Sequence, residues 1–323
     1  MSSKALLDTV VSAERSSSLA PATIVTIGNF DGVHRGHQRI IQAVNAAAER
    51  HNALSVALTF EPHPSTLLQD RPAESFRLTT SSFREELLRC YGIDEVVTIP
   101  FSYDFADLRP VDFVQGLLNE RLHAKEVHIG YDFAFGRGRE GTTSKLQSLC
   151  SERGIEVIVH RAYQDTEETI SSTRVRDHLK QHDLETVARL YGRPYSVPGV
   201  QQSGYQRGRE MGIPTINFYP EDLLLPPHGV YVSRLKENNR RWDAVTSIGT
   251  RPTFDDDDRV SIETYVLDPT FPGTPYGASL QVELLQWIRE ERAFESAEAL
   301  QKEMARDVEI ARDYHSAHMR QAL

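Results

Sequence analysis

The chain is 323 residues long, 39% hydrophobic and 25% charged, with a net charge of −10. That composition belongs to a globular protein with room for two domains, and its acidic balance offers nucleic acid no overall attraction. No apolar run reaches the length that crosses a bilayer, which argues against a membrane protein. The two cysteines, Cys90 and Cys150, each sit among apolar neighbours and read as core thiols of a reducing cytoplasm rather than as a disulfide or metal site. The opening Lys4-Ala-Leu-Leu-Asp8 stretch is faintly leader-like, but Asp8 interrupts it and Ser16-Ser17-Ser18 leads straight towards a strand, so no secretion signal is read there.

The first strong element is the β-branched run Thr23–Ile27, which predicts a buried parallel strand. Gly28, Gly32 and Gly36 then punctuate a tight loop, and from Gln38 the pattern turns helical, with Ile40, Ile41, Val44 and Ala48 on one face. Strand, glycine loop and helix in that order gather backbone N–H groups and the positive end of a helix dipole, which suits a phosphate. His34 and His37, three apart at the junction, share a face and can add donors to the same anion. A second strand, Ser55–Phe60, ends in Glu61-Pro62-His63-Pro64, at the carboxyl end where open α/β sheets place ligands. A helix over Ser81–Tyr91, a strand over Asp94–Pro100, a helix over Pro110–Leu122 and a strand over Glu126–Gly130 follow. This alternation predicts a Rossmann-like parallel sheet wound on both faces.

Gly136-x-Gly138-x-x-Gly141 matches the dinucleotide fingerprint in spacing, but five residues separate it from the strand it should follow. A Walker loop also fails, because Thr142-Thr143 stands where Lys-Ser/Thr is needed. What remains is a loop carrying Arg137 and Arg139, either a cover for a polyphosphate or a solvated basic loop. After a fifth strand, Glu156–His160, the segment Ile170-Ser171-Ser172-Thr173-Arg174-Val175-Arg176 opens a helix. Its hydroxyls read in the ordinary way as a helix cap, and with two arginines beside them they also make a second phosphate grip.

Past a short helix, Leu184–Leu190, and the stop at Gly192, the texture changes to short runs separated by Gly, Pro and Asp turns: Ile213–Phe218, Gly229–Leu235, Trp242–Ile248, Val260–Val266 and Leu280–Leu285. They predict a small antiparallel β-barrel closed by a C-terminal helix, Ser296–Ser316, with Leu300, Met304, Val308 and Ala311 inward. The boundary is placed between residues 186 and 187, giving domains 1–186 and 187–323. Gly204, Arg207, Gly208 and Gly212 form a flexible basic loop suited to covering phosphates. It leads to Thr215 and Asn217, two apart on a strand and able to offer neutral oxygens to Mg²⁺. Glu263 is a lone carboxylate in mid-strand, for which an outward, solvated position is the ordinary reading. Asp255–Asp258 reads as a solvated hairpin tip.

These motifs also carry a resemblance. Phe30-Asp31-Gly32-Val33-His34-Arg35-Gly36-His37-Gln38 is similar to the His-x-Gly-His segment of the nucleotidyltransferase superfamily, in the form found in bifunctional bacterial riboflavin kinase/FMN adenylyltransferases. Ile170-Ser-Ser-Thr-x-x-Arg176 matches the family's second ATP-binding segment. Pro214-Thr-Ile-Asn217, Gly229-Val-Tyr231, Ser247–Phe254, Ile262-Glu263 and Trp287–Phe294 resemble the kinase module in the family's order.

The resemblance implies ATP contacts from Gly28, Asn29, Phe30, Asp31, Gly36, His37, Ser172, Thr173, Arg174 and Arg176, with His34 and His37 in the catalytic role. In the barrel it implies nucleotide contacts from Gly204, Arg207, Gly208 and Gly212, Mg²⁺ at Thr215 and Asn217, and Glu263 as base. Flavin contacts would come from His63, Asp132, Arg289 and Arg292. Riboflavin, FMN and FAD are then substrates or products, ATP and flavins the partners, and the state of association is left open, homo-oligomer included. Ser203, Ala134 and Arg84 depart from the family's usual His, Arg and Lys. An adenylyltransferase of another substrate fused to an unrelated barrel, or a binding module without turnover, would each leave some of these motifs without a purpose.

Overall fold

The computed structural model describes residues 22–166, 168–202, 215–237, 240–250 and 260–319. The chain divides into two compact units, Met1–Ser172 and Thr173–Leu323. Gly204, Arg207, Gly208 and Gly212, with Ser203 and Asp255–Asp258, lie outside the described residues.

The first unit is a five-stranded sheet. Strands β1 (Thr23–Ile27), β2 (Leu54–Glu61), β3 (Glu95–Pro100), β4 (Ala124–Gly130) and β5 (Glu156–His160) stand in the order β3-β2-β1-β4-β5, and every neighbouring pair is parallel. The sequence direction reverses between β1 and β4, so the crevice at their carboxyl ends is the place such sheets offer a ligand. Alternation along the strands separates two apolar layers. Val25, Ile27, Val127 and Ile129 join Leu117, Leu118, Leu146 and Cys150 on one face. On the other, Ile24 and Ala57 meet Ile41, Val44 and Ala47 of α1 (Arg35–His51) and Phe83 and Leu88 of α2 (Ser81–Cys90).

Two local readings are corrected. The expected helix over Pro110–Leu122 is a short α turn, Pro110–Asp112, followed by a π-helical stretch, Phe113–Asn119, so its inward residues follow a wider period than 3.6. Cys150 is buried at the end of α3 (Thr143–Ser151), where burial pushes its thiol up to about 11, but Cys90 is exposed. It is the last residue of α2, past the buried Leu87 and Leu88.

The second unit begins with α4 (Ser172–Lys180), whose first residue belongs to the first unit, and α5 (Leu184–Tyr191), which Gly192 ends in the left-handed region. A small hairpin, β6 (Gln164–Asp165) and β7 (Glu168–Thr169), closes the strands of the first unit. In the second, β8 (Tyr195–Gln202), β9 (Ile216–Pro220), β10 (Gly229–Glu237), β11 (Arg240–Thr250), β12 (Val260–Val266) and β13 (Ser279–Glu290) form a closed antiparallel barrel in the order β10-β11-β12-β9-β8-β13. Helix α6 (Ala297–Met319) buries Ala311 against Val230, Val232 and Val245. Its buried face also includes Asp307 and His315, while the expected Leu300 and Met304 are only half-buried.

The strand the sequence reading missed is β8, because Pro198-Gly199 looks like a turn signal. Proline is tolerated there opposite Gln281, and the glycine is required by packing. A Cβ on Gly199 would fall 2.2 Å from Cδ2 of Phe218, a ring 1% exposed. Gly199→Ala should therefore destabilise the barrel by about 1–3 kcal/mol through overpacking. Both tryptophans, Trp242 and Trp287, belong to the second unit, so intrinsic fluorescence reads its unfolding midpoint directly. An unchanged midpoint would contradict the contact.

Candidate functional site

In the first unit, the loop leaving β1 is held in an unusual conformation by its packing. Phe30 and Val33 both have positive φ, 49° and 42°, on either side of Gly32 at 84°. A β-branched residue there is strained, yet Phe30 and Val33 are 1% and 0% exposed, so the core fixes what the backbone resists. Asp31 does a similar job. Its Oδ1 accepts from the amides of Leu78 (2.8 Å) and Thr79 (3.2 Å), and the Thr79 hydroxyl in turn accepts from the Gly32 amide at 3.1 Å. The carboxylate expected at the nucleotide anchors the loop through this oxygen.

The loop delivers His34 to the N-cap of α1, where its Nδ1 accepts from the His37 amide at 3.3 Å. A neutral His34 must then carry its proton on Nε2. The two rings stack, centroids 3.7 Å apart and 16° between planes. A Cβ on Gly36 would lie 3.1 Å from the His34 ring and 3.4 Å from the Ile170 carbonyl, which explains the glycine between the histidines. Burial, and then the neighbouring His34, hold His37 well below its ordinary value. Its Nδ1 is buried and makes no hydrogen bond among the described residues. The pair therefore offers donors rather than full positive charge. Ser172 Oγ donates to the Asp31 carbonyl at 2.8 Å within the first unit; Thr173, Arg174 and Arg176 follow in the helix of the second unit.

Gly28 and Asn29 lie at the exit of β1, with the Asn29 carbonyl accepting from the Thr59 hydroxyl. Asp132 is exposed just beyond β4. His63 is buried, caps the turn Pro64–Leu68 by accepting from the Ser65 amide, and packs edge-on against Phe76. Arg84, 1% exposed, pairs with Glu61 (3.2 Å) and the Phe60 carbonyl (3.2 Å), and Arg77 grips the same carboxylate at 2.6 Å. Burial lowers the Arg84 guanidinium, Glu61 partly opposing it. Arg137, suggested as a polyphosphate cover, is paired with Asp107 through two bonds of 2.8 Å.

In the second unit, β12 and β9 are neighbours in a register that sets Glu263 opposite Asn217. The Thr215 hydroxyl is 3.4 Å from Glu263 Oε2, and the Asn217 amide nitrogen donates to the Thr215 carbonyl at 3.3 Å. Glu263 is half-buried rather than outward and solvated. A hydroxyl, a side-chain amide and a carboxylate in one place form an all-oxygen donor set that fits Mg²⁺ better than a softer metal.

Arg289 and Arg292 are both engaged with α6. Arg289 makes a two-pronged contact with Asp307, 3.0 and 2.7 Å, and Arg292 reaches Glu303 at 2.8 Å. Of the two, only Arg292 lines a cavity of about 380 Å³ that it shares with His182, Pro227, His228 and Glu290. The sequence reading also missed a row of histidines around Glu126 in the first unit; Glu126 and His128 share a face of β4 at the strand spacing of two, but His51 and His160 come from distant parts of the chain that no spacing rule links to them.

Comparison with known proteins agrees with this division. Residues 16–174 match the family model for FAD synthetase and residues 191–315 that for riboflavin kinase. A bifunctional riboflavin kinase/FMN adenylyltransferase of Escherichia coli K12 is 35% identical over 90% of this chain and 92% of its own. One from Listeria monocytogenes is 32% identical over the same shares. A crystal structure described as a macrolide-efflux protein from Streptococcus pneumoniae superposes with a TM-score of 0.80 at 28% identity, covering 94% of this chain and 97% of that one. Among the described residues no helix is long and apolar enough to cross a membrane.

Proposed function

The chain belongs to the bifunctional riboflavin kinase/FMN adenylyltransferase family, and from that premise we propose which of its residues carry each half of the reaction. It phosphorylates riboflavin to FMN with ATP and joins FMN to the AMP of a second ATP, releasing pyrophosphate. We place the functional division at residues 186 and 187, in the gap between the two family matches.

The observation that carries the assignment of phosphorylation is Glu263 beside Thr215 and opposite Asn217. The primary hydroxyl of riboflavin is a poor nucleophile. A carboxylate must take its proton as the oxygen attacks the γ-phosphorus of ATP, and Glu263 holds that position. Thr215 and Asn217 would hold Mg²⁺, which when bound neutralises charge on the transferring phosphate. The Thr215 hydroxyl also orients the Glu263 carboxylate for the substrate hydroxyl, and Asn217 braces Thr215. Arg292, at the rim of the cavity, is the better flavin contact, and Arg289 positions the segment through Asp307.

Adenylyl transfer needs less. The FMN phosphate is already an anion, so its oxygen attacks the α-phosphorus and pyrophosphate leaves without a strong base. What the reaction demands is charge stabilisation on the triphosphate. His34 and His37 supply N–H donors, the α1 amides supply the dipole's positive end, and Ser172, Thr173, Arg174 and Arg176 supply the second grip. Gly28, Asn29, Phe30 and Gly36 shape the loop, with Asp31 as its anchor. His63 and Asp132 stand at the carboxyl edge of the sheet on the flavin side. A cytoplasmic location suits an exposed, unpaired Cys90.

Chromatography of flavins after incubation with riboflavin, ATP and Mg²⁺ tests the reading. FMN should appear first and FAD after it; absence of either removes the corresponding half.

A further inference from the structure

A row of ionisable side chains crosses the first unit away from the groups assigned so far. His51, the last residue of α1, places Nε2 2.5 Å from Oε1 of Glu126. The other oxygen of Glu126 is 3.2 Å from His128 Nε2, and His128 Nδ1 is 2.9 Å from His160 Nε2. The last two rings stack, their planes 26° apart. Glu126 and His128 are 4% and 3% exposed in β4, and His160 ends β5 in register with Gly130. The row thus runs from the far end of the helix that His34 caps to the carboxyl edge of the sheet.

With Glu126 ionised and the rings neutral, a single proton arrangement closes the row. Glu126 accepts on both sides, so His51 and His128 each donate from Nε2. Neutral His128 then has only a lone pair at Nδ1, and His160 must donate to it from Nε2. One added proton can be held, with His160 as a cation donating from Nε2, or with His128 as a cation donating from Nδ1 once His160 carries its own proton on Nδ1; a proton on each ring sets two N–H groups against each other and two cations side by side. Arg50 on α1, 3.7 Å from Glu126, and Glu156 on β5, in register with it, also face the row.

We propose that this row is a protonation-dependent clamp that positions α1, and through it His34 and His37, for adenylyl transfer; His51, Glu126, His128 and His160 are its positioning residues. The proposal rests on the adenylyltransferase reading of the first unit. The helix is a rigid lever of 17 residues, about 25 Å long, and His51 fastens its far end to the sheet. Burial lowers His128, with Glu126 partly opposing it. Burial, and then His128, lower His160. Burial raises Glu126, but hydrogen bonds from His51 and His128 outweigh it and keep the carboxyl low. The sign follows. Groups whose folded values are depressed contribute fully above their unfolded values, here about 6.5 for histidine, and lose that contribution as pH falls towards the folded values. The clamp loosens on the acid side.

The test compares wild type with His160→Gln in the full chain, because a glutamine amide can donate to His128 Nδ1 yet does not titrate. FAD formation from FMN and FMN formation from riboflavin are both followed against pH. The FMN phosphate itself titrates near about 6, but equally with both proteins, so the difference between them is the readout. Near about pH 8 the two should agree within about twofold, and near about pH 5.5 the variant should keep roughly threefold more of its FAD-forming rate. Their FMN-forming profiles should coincide. Superimposable FAD-forming profiles would overturn the proposal, as would the same shift in FMN formation. Imidazole proton resonances of the wild type give a reading independent of catalysis and of the variant's folding. Coupled titration of His128 and His160 below about 6.5 is expected; independent titration at the ordinary value would sink the clamp while leaving the enzymatic reading intact.

Discussion

Glu263→Gln lowers FMN formation from riboflavin by about 10²–10⁴ in kcat, the range for loss of a general base, while FAD formation from supplied FMN stays within about twofold of wild type. Glutamine is nearly isosteric, so the register that sets residue 263 against Asn217 survives. The amide cannot take the riboflavin proton. It also brings an N–H group towards a Thr215 hydroxyl that in the native chain is 3.4 Å from a carboxylate oxygen. KM for riboflavin should move less than kcat, since the lost interaction develops in the transition state. Separate assays with riboflavin and with FMN, each with ATP and Mg²⁺, decide the matter. Equal loss of both products would mean that residue 263 supports folding rather than chemistry.

His37→Ala has the complementary effect: FAD formation falls by about 10²–10³, the cost of removing one preorganised donor from a developing charge, and FMN accumulates at the wild-type rate. The imidazole acts through its N–H. Burial and then His34 hold it well below its ordinary value, so it is neutral at working pH. Its contribution does not fade as pH rises through about 6.5, as it would if the imidazolium were needed. His37→Gln, which keeps a donor, should retain more activity than the alanine variant. A rate that declines steadily above neutrality in wild type and is flat in His37→Gln would show that the cation was required after all.

The sequence made the architecture readable where local and tertiary signals agreed. Thr23–Ile27 is a β-branched run buried on both faces, and it is a central parallel strand. Val260–Val266 alternates, and it is a barrel strand with the expected bounds. The reading failed where packing overrode local preference. Pro198-Gly199 looks like a turn, yet Phe218 needs the space that glycine leaves, so the segment is a strand. Cys90 has apolar neighbours in the chain, but as the last residue of α2 it is exposed. In the site, residue types located the His34/His37 loop and the Thr215/Asn217 pair, because short spacings along one element encode a shared face; Glu263, on a neighbouring strand, was singled out by the family resemblance alone. They could not reveal that Asp31 turns to Leu78 and Thr79, or that Arg289 turns to Asp307. Those partners are 47, 48 and 18 residues away, and no periodicity predicts such a meeting.

That two separate groups of residues in one chain carry two successive reactions is tested most directly by mixing the variants. Glu263→Gln alone, given riboflavin, ATP and Mg²⁺, should yield almost no flavin nucleotide, and His37→Ala alone should stop at FMN. Combined in equal amounts they should make FAD, because FMN released by one protein is substrate for the intact first unit of the other. A mixture that still stops at FMN, with each variant's other activity intact, would contradict the assignment of adenylyl transfer and phosphorylation to independent sites.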